Sequence, residues 1–261
     1  MGELVKLERP TDGVVRVVMS RNELKNALDA ALARALRESL EEAAGDDTVR
    51  AVVLAGGEKM FSVGGDIRMM QEAGSAGRPD VLVRVIDSFH AAVLAIATMP
   101  KPVIAAVCGG AGGGGLSLMM ACDLAVVDEA GKFVVGFNAI GLSPDGGSTF
   151  HLARLAGLKR ATELCFLNQV FDGRRAVELG LANRAVPIDK VEEEALALAT
   201  KLAAGPTRAF ARTKELLRAG RSLGESLDAE AESIAALSSE VDAGEGIDAF
   251  LEKREPRFRA R

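Results

Sequence analysis

KPVIAAVCGGAGGGGLSLMMACDLAVV (Lys101–Val127) opens with an uninterrupted apolar run, passes through a cluster of glycines, and continues into small and apolar residues. An apolar run with no polar alternation fits a strand covered on both faces. The glycines then open a helix that extends through Ala121, and DLAVVDE (123–129) reads as a strand again. Upstream, VVRVVMS (14–20) is a strand rich in β-branched residues. NALDAALARALRESLEEAAGD (26–46) is a helix with Leu28, Leu32, Leu36 and Leu40 on one stripe, closed by Gly45 and Asp46. VRAVVLAGG (49–57) is a second buried strand, and PDVLVRVIDSFHAAVLAIATM (79–99) is a long helix that stops before Pro100. Strands and helices in strict alternation predict an α/β fold with right-handed crossovers and a largely parallel sheet.

Downstream the pattern turns helical, over 147–167 and 172–182, with ANRAVP (182–187) as a short strand. From Lys190 onward only helices are expected, broken at Gly205-Pro206 and again at Gly244 and Gly246. The division expected is an α/β core over 1–190 and a helical C-terminal region over 191–261.

The chain has 261 residues, 48% of them apolar and 26% charged, with a net charge of −5. Its basic residues are dispersed, without the basic stripe of a nucleic-acid binder. Three cysteines without metal-ligand spacing, and no leader-like apolar segment, point to free thiols in a reducing, cytoplasmic setting. No uninterrupted apolar stretch reaches the ~18–20 residues of a membrane span, so none is expected. Two histidines make a histidine-based metal site unexpected, and the absence of Tyr excludes tyrosine acid–base chemistry.

Two glycine-rich loops each follow a buried strand: FSVGGDI (61–67) and GGAGGGGLS (109–117). Sites in open α/β sheets lie beyond the carboxyl ends of the strands, where both loops fall. No Lys follows the glycines, so this is not a phosphate-binding P-loop. A G-x-G-x-x-G match is present but sits far from the first strand, without the acidic residue that binds a dinucleotide ribose. Backbone N–H groups from two such loops, one assisted by a helix N-terminus, can converge on a single carbonyl oxygen as an oxyanion hole. Close helix–strand packing is the plainer use of the same glycines.

In order along the chain, RNELKNALD (21–29), FSVGGDI, the Lys101–Val127 segment, KFVVGFNAIGLSPDGGSTFHLARLAG (132–157), RRAVELGLANRAVP (174–187) and GIDAFLEKREPRF (246–258) resemble the crotonase superfamily, the enoyl-CoA hydratase/isomerase family, over essentially the whole length. The resemblance implies a core of repeated ββα units and a helical C-terminal region that assembles trimers, often paired into hexamers. It implies an acyl-CoA thioester as substrate and no separate cofactor, coenzyme A being part of the substrate. By position it assigns the oxyanion-hole N–H groups to Gly65 and Gly114. Val63, Gly65, Asp66, Ile67, Arg68, Gly114 and Phe137 would border the substrate, and Lys25 and the segment around Lys253 are candidate phosphate contacts.

Hydratases of this family use two glutamates. Their positions align with Ser117 and Phe137, neither of which can hold a carboxylate's charge, so two-glutamate hydration is disfavoured. Ser117 reads instead as a small pocket-lining residue. GLSPDGGST (141–149) offers Asp145, in a turn that Asp and Gly favour in any case. The resemblance implies more, because isomerases of the family carry an acid in this turn, and one carboxylate can remove a proton and return it elsewhere. The leading expectation is an isomerase acting on an enoyl-CoA or a ring-epoxide acyl-CoA. Two alternatives remain open. The family's 4-chlorobenzoyl-CoA dehalogenase branch uses an Asp here as a nucleophile, assisted by a His that would correspond to His90, but with a Trp where this chain has Phe137. The other is a non-catalytic acyl-CoA binder. His151 reads as helix surface or core. Met and small residues over 68–82 suggest a mobile apolar lid.

Overall fold

In the computed structural model, which describes residues 3–259, the apolar strands β3 (Ala51–Ala55) and β4 (Val103–Val107) are buried at every position. They occupy the middle of a six-stranded sheet ordered β1-β2-β3-β4-β6-β8, with β1 (Val5–Thr11), β2 (Val14–Met19), β6 (Leu124–Asp128) and β8 (Arg184–Val186) around them. All neighbours pair in parallel except β1 and β2, which form an antiparallel hairpin. Strand β1 was not expected from the sequence. It is an edge strand carrying Lys6, Glu8, Arg9 and Pro10, the charged and proline-bearing character that protects an edge, and Asp12-Gly13 forms the turn.

The period of two in β3 divides the core. Val52 and Leu54 face the larger cluster, with Leu32, Leu36 and Leu40 of α1 (Ala30–Gly45) and Phe89 and Ile96 of the long helix α3 (Gly74–Thr98). Ala51, Val53 and Ala55 face the other side, where α8 (Val191–Ala203) covers them with Val191, Ala195, Ala199 and Ala203. A row of alanines four residues apart lets this helix lie close to the sheet. The first helix of the region beginning at 191 thus supplies a layer of the central core.

Short strands form a second layer. β5 (Gly110–Gly112) pairs in parallel with β7 (Lys132–Val134), and single bridges extend the row through Leu28 with Gly65, Ser62 with Ala111, and Phe133 with Phe171. Strands β2, β3, β4 and β6 are each followed by one of these short pieces and then a helix, giving the repeated ββα unit. β4, β5 and α4 (Gly114–Ala121) form one such unit. The glycines after β4 therefore form a strand before they open the helix.

Helix α2 (Ile67–Glu72) and the start of α3 occupy the segment expected to be a lid, and α3 begins five residues before Pro79. By length and composition α3 is apolar enough to cross a membrane, the one such helix among the described residues, although charges interrupt its sequence. Here Val85, Phe89, Ala92, Val93 and Ile96 bury its apolar face in the core. The remaining helices are α5 (Ser148–Leu155), α6 (Leu158–Leu167), α7 (Gly173–Glu178), α9 (Thr207–Arg218), α10 (Leu223–Ser238) and α11 (Val241–Glu252). Gly244 and Gly246 lie inside α11. The break falls between α10 and α11 at Ser239 and Glu240, since a glycine inside a helix costs only about 1 kcal/mol and does not end it by itself.

Buried charges tie α9 to the core. Asp123 accepts the Val103 N–H at 2.8 Å, the Lys214 ammonium at 2.8 Å and the Arg218 guanidinium at 3.0 Å. Lys214 also donates to the Ile96 carbonyl, and burial pulls its pKa down against the opposing pull of Asp123. Lys101, similarly buried, donates to the carbonyls of Ala43, Ala44 and Asp46 and so closes the C-terminus of α1. His151, half-buried on α5, has its pKa lowered to about 4 by burial first and then by Arg218 and Arg154.

Two outcomes follow. Asp123→Ala strands the Lys214 charge and lowers unfolding stability by roughly 3 kcal/mol in denaturant titrations. The folded chain refuses a proton at His151 that the unfolded chain accepts, so stability falls as pH drops from 6.5 towards about 4. His151→Gln flattens that limb of the thermal-midpoint profile.

Candidate active site

The two glycine loops meet beyond the carboxyl ends of β3 and β4. Gly64 has a φ of +89°, and a Cβ there would stand 2.6 Å from the Gly112 carbonyl oxygen, so only glycine permits this approach. Leu28 binds the first loop on both sides of Gly65, its N–H donating to the Gly64 carbonyl and its own carbonyl accepting from the Asp66 N–H. That pairing turns the Gly65 N–H the other way. Gly114 is the first residue of α4, with its N–H in the unpaired first turn. Among the described residues neither the Gly65 nor the Gly114 N–H has a hydrogen-bond acceptor, and both glycines line one cavity.

This cavity encloses about 440 Å³. Its walls are apolar: Leu28 and Val63 near the first loop, Met69 and Met70 from α2, Val85 and Phe89 from α3, and Phe137, Ile140 and Leu142 from the segment before the Asp145 turn. Asp145 is the single ionisable side chain among the residues that line it. Its Oδ1 lies 2.6 Å from His90 Nε2 on α3, and both side chains retain partial access to solvent, at 34% and 47%.

Of the residues singled out from sequence, the fold brings Val63, Gly65, Ile67, Gly114, Phe137 and Asp145 onto the cavity wall, with His90 behind Asp145. Phe137 lies three residues beyond β7, at the start of a 3₁₀ turn. Asp66 does not line the cavity. Its carboxylate caps α2 through the Arg68 and Met69 N–H groups and lies 3.4 Å from Arg21, which also pairs with Asp29 at 2.9 Å. This clasp joins the Gly65 loop to the start of α1. Arg68 is exposed on α2, and Lys25 faces a separate groove beside Lys59 and Arg16. Lys253, in a left-handed conformation, ends α11.

Ser117 is also misplaced by the sequence reading. It is fully buried rather than pocket-lining, and its hydroxyl lies 2.9 Å from the Asp145 carbonyl and 2.7 Å from Ser148 Oγ. Ser148, on the next element, had no sequence signal beyond its place after two glycines. Met69 and Met70, in the 68–82 segment expected to be an apolar lid, do line the cavity. The glycines of the Asp145 turn are required by the fold: Gly146 has a φ of +63°, and a Cβ there would collide with the Phe89 ring.

The arrangement is an apolar cavity with two unpaired N–H donors at one end and one carboxylate on its wall. Such donors stabilise an oxygen that gains negative charge, and such a carboxylate transfers protons or attacks carbon. Residues 9–261 match the family model described as enoyl-CoA hydratase/isomerase. The chain is 32% identical to a 1,2-epoxyphenylacetyl-CoA isomerase from Escherichia coli, over 94% of this chain and 95% of the relative. It is 32% identical to 4-chlorobenzoyl coenzyme A dehalogenase-2 from Arthrobacter, over 81% of this chain and 77% of the relative. The crystal structure of an enoyl-CoA hydratase from Polaromonas superposes with a TM-score of 0.92 at 34% identity, covering 98% of this chain and 99% of that one. With the ββα repeat, the two converging glycine loops and this match along its length, the chain belongs to the enoyl-CoA hydratase/isomerase family.

Proposed function

We propose that this enzyme is an acyl-CoA isomerase with Asp145 as its single acid–base group. The observation that carries the reading is that Asp145 is the one ionisable side chain on the cavity wall; the family resemblance puts a hydratase's two carboxylates at Ser117 and Phe137, neither of which is an acid. The thioester oxygen would accept from the Gly65 and Gly114 N–H groups. Asp145 would take a proton from the α-carbon of a 3-enoyl-CoA, the C–H electrons moving into an enolate whose charge collects on that oxygen. The same proton, now on Asp145, is delivered to the γ-carbon as the enolate collapses to the 2-enoyl-CoA, so no water is consumed. The apolar walls exclude water from the enolate and suit a hydrocarbon or ring-bearing acyl group.

A second reading is favoured by the His90–Asp145 contact. In a dehalogenase-like substitution the Asp145 carboxylate attacks the ring carbon that bears the halogen, halide leaves, and water, relieved of a proton by His90, hydrolyses the aryl ester.

The exposed apolar residues Leu227 and Ile234 on α10, and Ile247, Phe250 and Leu251 on α11, support assembly as a homotrimer or a hexamer of paired trimers.

With purified protein, 3-enoyl-CoA is expected to convert to 2-enoyl-CoA, and Asp145→Asn to lower kcat at least about a hundredfold with substrate binding retained. Wild-type rates in that variant would remove Asp145 from the mechanism. Halide release from 4-chlorobenzoyl-CoA, with an ester trapped on Asp145, would favour the second reading. Binding without turnover of either substrate would favour a non-catalytic binder. Light scattering is expected to give a trimer mass or twice it, and Phe250→Asp to shift the population towards monomer.

A further inference from the structure

The geometry points to Ser117 as a positioning residue that locks the Asp145 turn to the helix bearing the Gly114 N–H. This rests on the reading of Asp145 as the reacting group. Ser117 is fully buried on α4, one turn after Gly113, and Ser148 is 1% exposed at the first position of α5. The Ser117 hydroxyl has three neighbours: the Asp145 carbonyl at 2.9 Å, the Gly113 carbonyl at 3.3 Å and Ser148 Oγ at 2.7 Å.

The proton inventory orders this cluster. Both carbonyls can only accept, and Ser117 has a single hydroxyl proton. The one arrangement that uses both hydroxyls and the shorter carbonyl contact has Ser148 donating to Ser117 and Ser117 donating to the Asp145 carbonyl. The Asp145 carbonyl also accepts the Ser148 N–H at 3.3 Å, closing a small buried ring. Gly146, held at φ +63°, presses the turn against Phe89 and the Ser117 Cβ, leaving the backbone of Asp145 little freedom to move.

Position 117 therefore contributes to the reaction without contributing an acid. The donor for the thioester oxygen and the carboxylate sit on separate elements, α4 and the loop before α5. Their spacing must hold within a fraction of an ångström for proton transfer. Ser117 sets that spacing through one hydroxyl. A side chain long enough to carry a carboxylate at 117 would need the volume that this hydroxyl and the turn now share.

The chain has only two histidines, so the His90 ring protons give a clean NMR report on Asp145. The His90 signals are assigned by their loss in His90→Gln, and their position without Asp145 is read in Asp145→Asn. In Ser117→Ala at neutral pH they are expected to move towards the Asp145→Asn position. On 3-enoyl-CoA, kcat is expected to fall about tenfold while KM stays nearly unchanged. His90 signals that stay in place, or an unchanged kcat in an active enzyme, would overturn the assignment. If the wild-type protein turns over no enoyl-CoA, the isomerase reading fails and the NMR comparison alone decides the positioning role. If Ser117→Ala does not fold, Ser148→Ala removes the other hydroxyl of the ring and is read by the same two measurements.

Discussion

The contact between the loops after β3 and β4 comes first in the physical order of this molecule. Gly64 lies against the Gly112 carbonyl at a distance that admits no side chain, and the short pairings of Leu28 with Gly65 and Ser62 with Ala111 carry the same approach outward. Two parallel strands buried on both faces deliver the loops to one end of the sheet. The cavity, the two unpaired N–H groups and the start of α4 follow from that meeting. Had either loop been one methyl thicker, the donors would diverge and the second layer of short strands would not close.

Around this contact the structure spends its polar groups on position. Arg21 holds Asp29 and Asp66 together, so the Gly65 loop is fastened to the start of α1. Asp123 gathers Lys214 and Arg218, so α9 is fastened to the sheet. Such partly buried pairs add modest net stability, because the cost of taking charge out of water offsets much of the attraction. Their value is in fixing which elements meet. The cavity wall is left almost entirely apolar, which makes a single carboxylate there chemically conspicuous.

Much of the architecture was legible in the sequence because it rests on local rules. Continuous apolar runs marked the buried strands, the four-residue leucine stripe marked α1, and the glycine runs marked the loops. Strand β1 escaped because an edge strand is half-exposed and carries charge, which hides its alternation. β5 escaped because three residues of glycine and alanine acquire strand character only from the partner beside them. The expected helix break at Gly244 and Gly246 failed because a helix-interior glycine costs only about 1 kcal/mol, too little to end a helix by itself.

The site divides in the same way. Sequence by itself determined the residue types: glycines where backbone must approach a ligand, an Asp in a Pro-Asp-Gly-Gly turn, and no acid at Ser117 or Phe137. These follow from covalent identity, since no fold can give serine or phenylalanine a carboxylate. Only the tertiary structure decided which groups act together. It set His90 2.6 Å from Asp145 across 55 residues of chain, turned Asp66 into a helix cap, and buried Ser117 under the Asp145 turn. Those relations depend on how α3, α4 and α5 pack on one another, and packing is a property of the assembled core that no single stretch of chain contains.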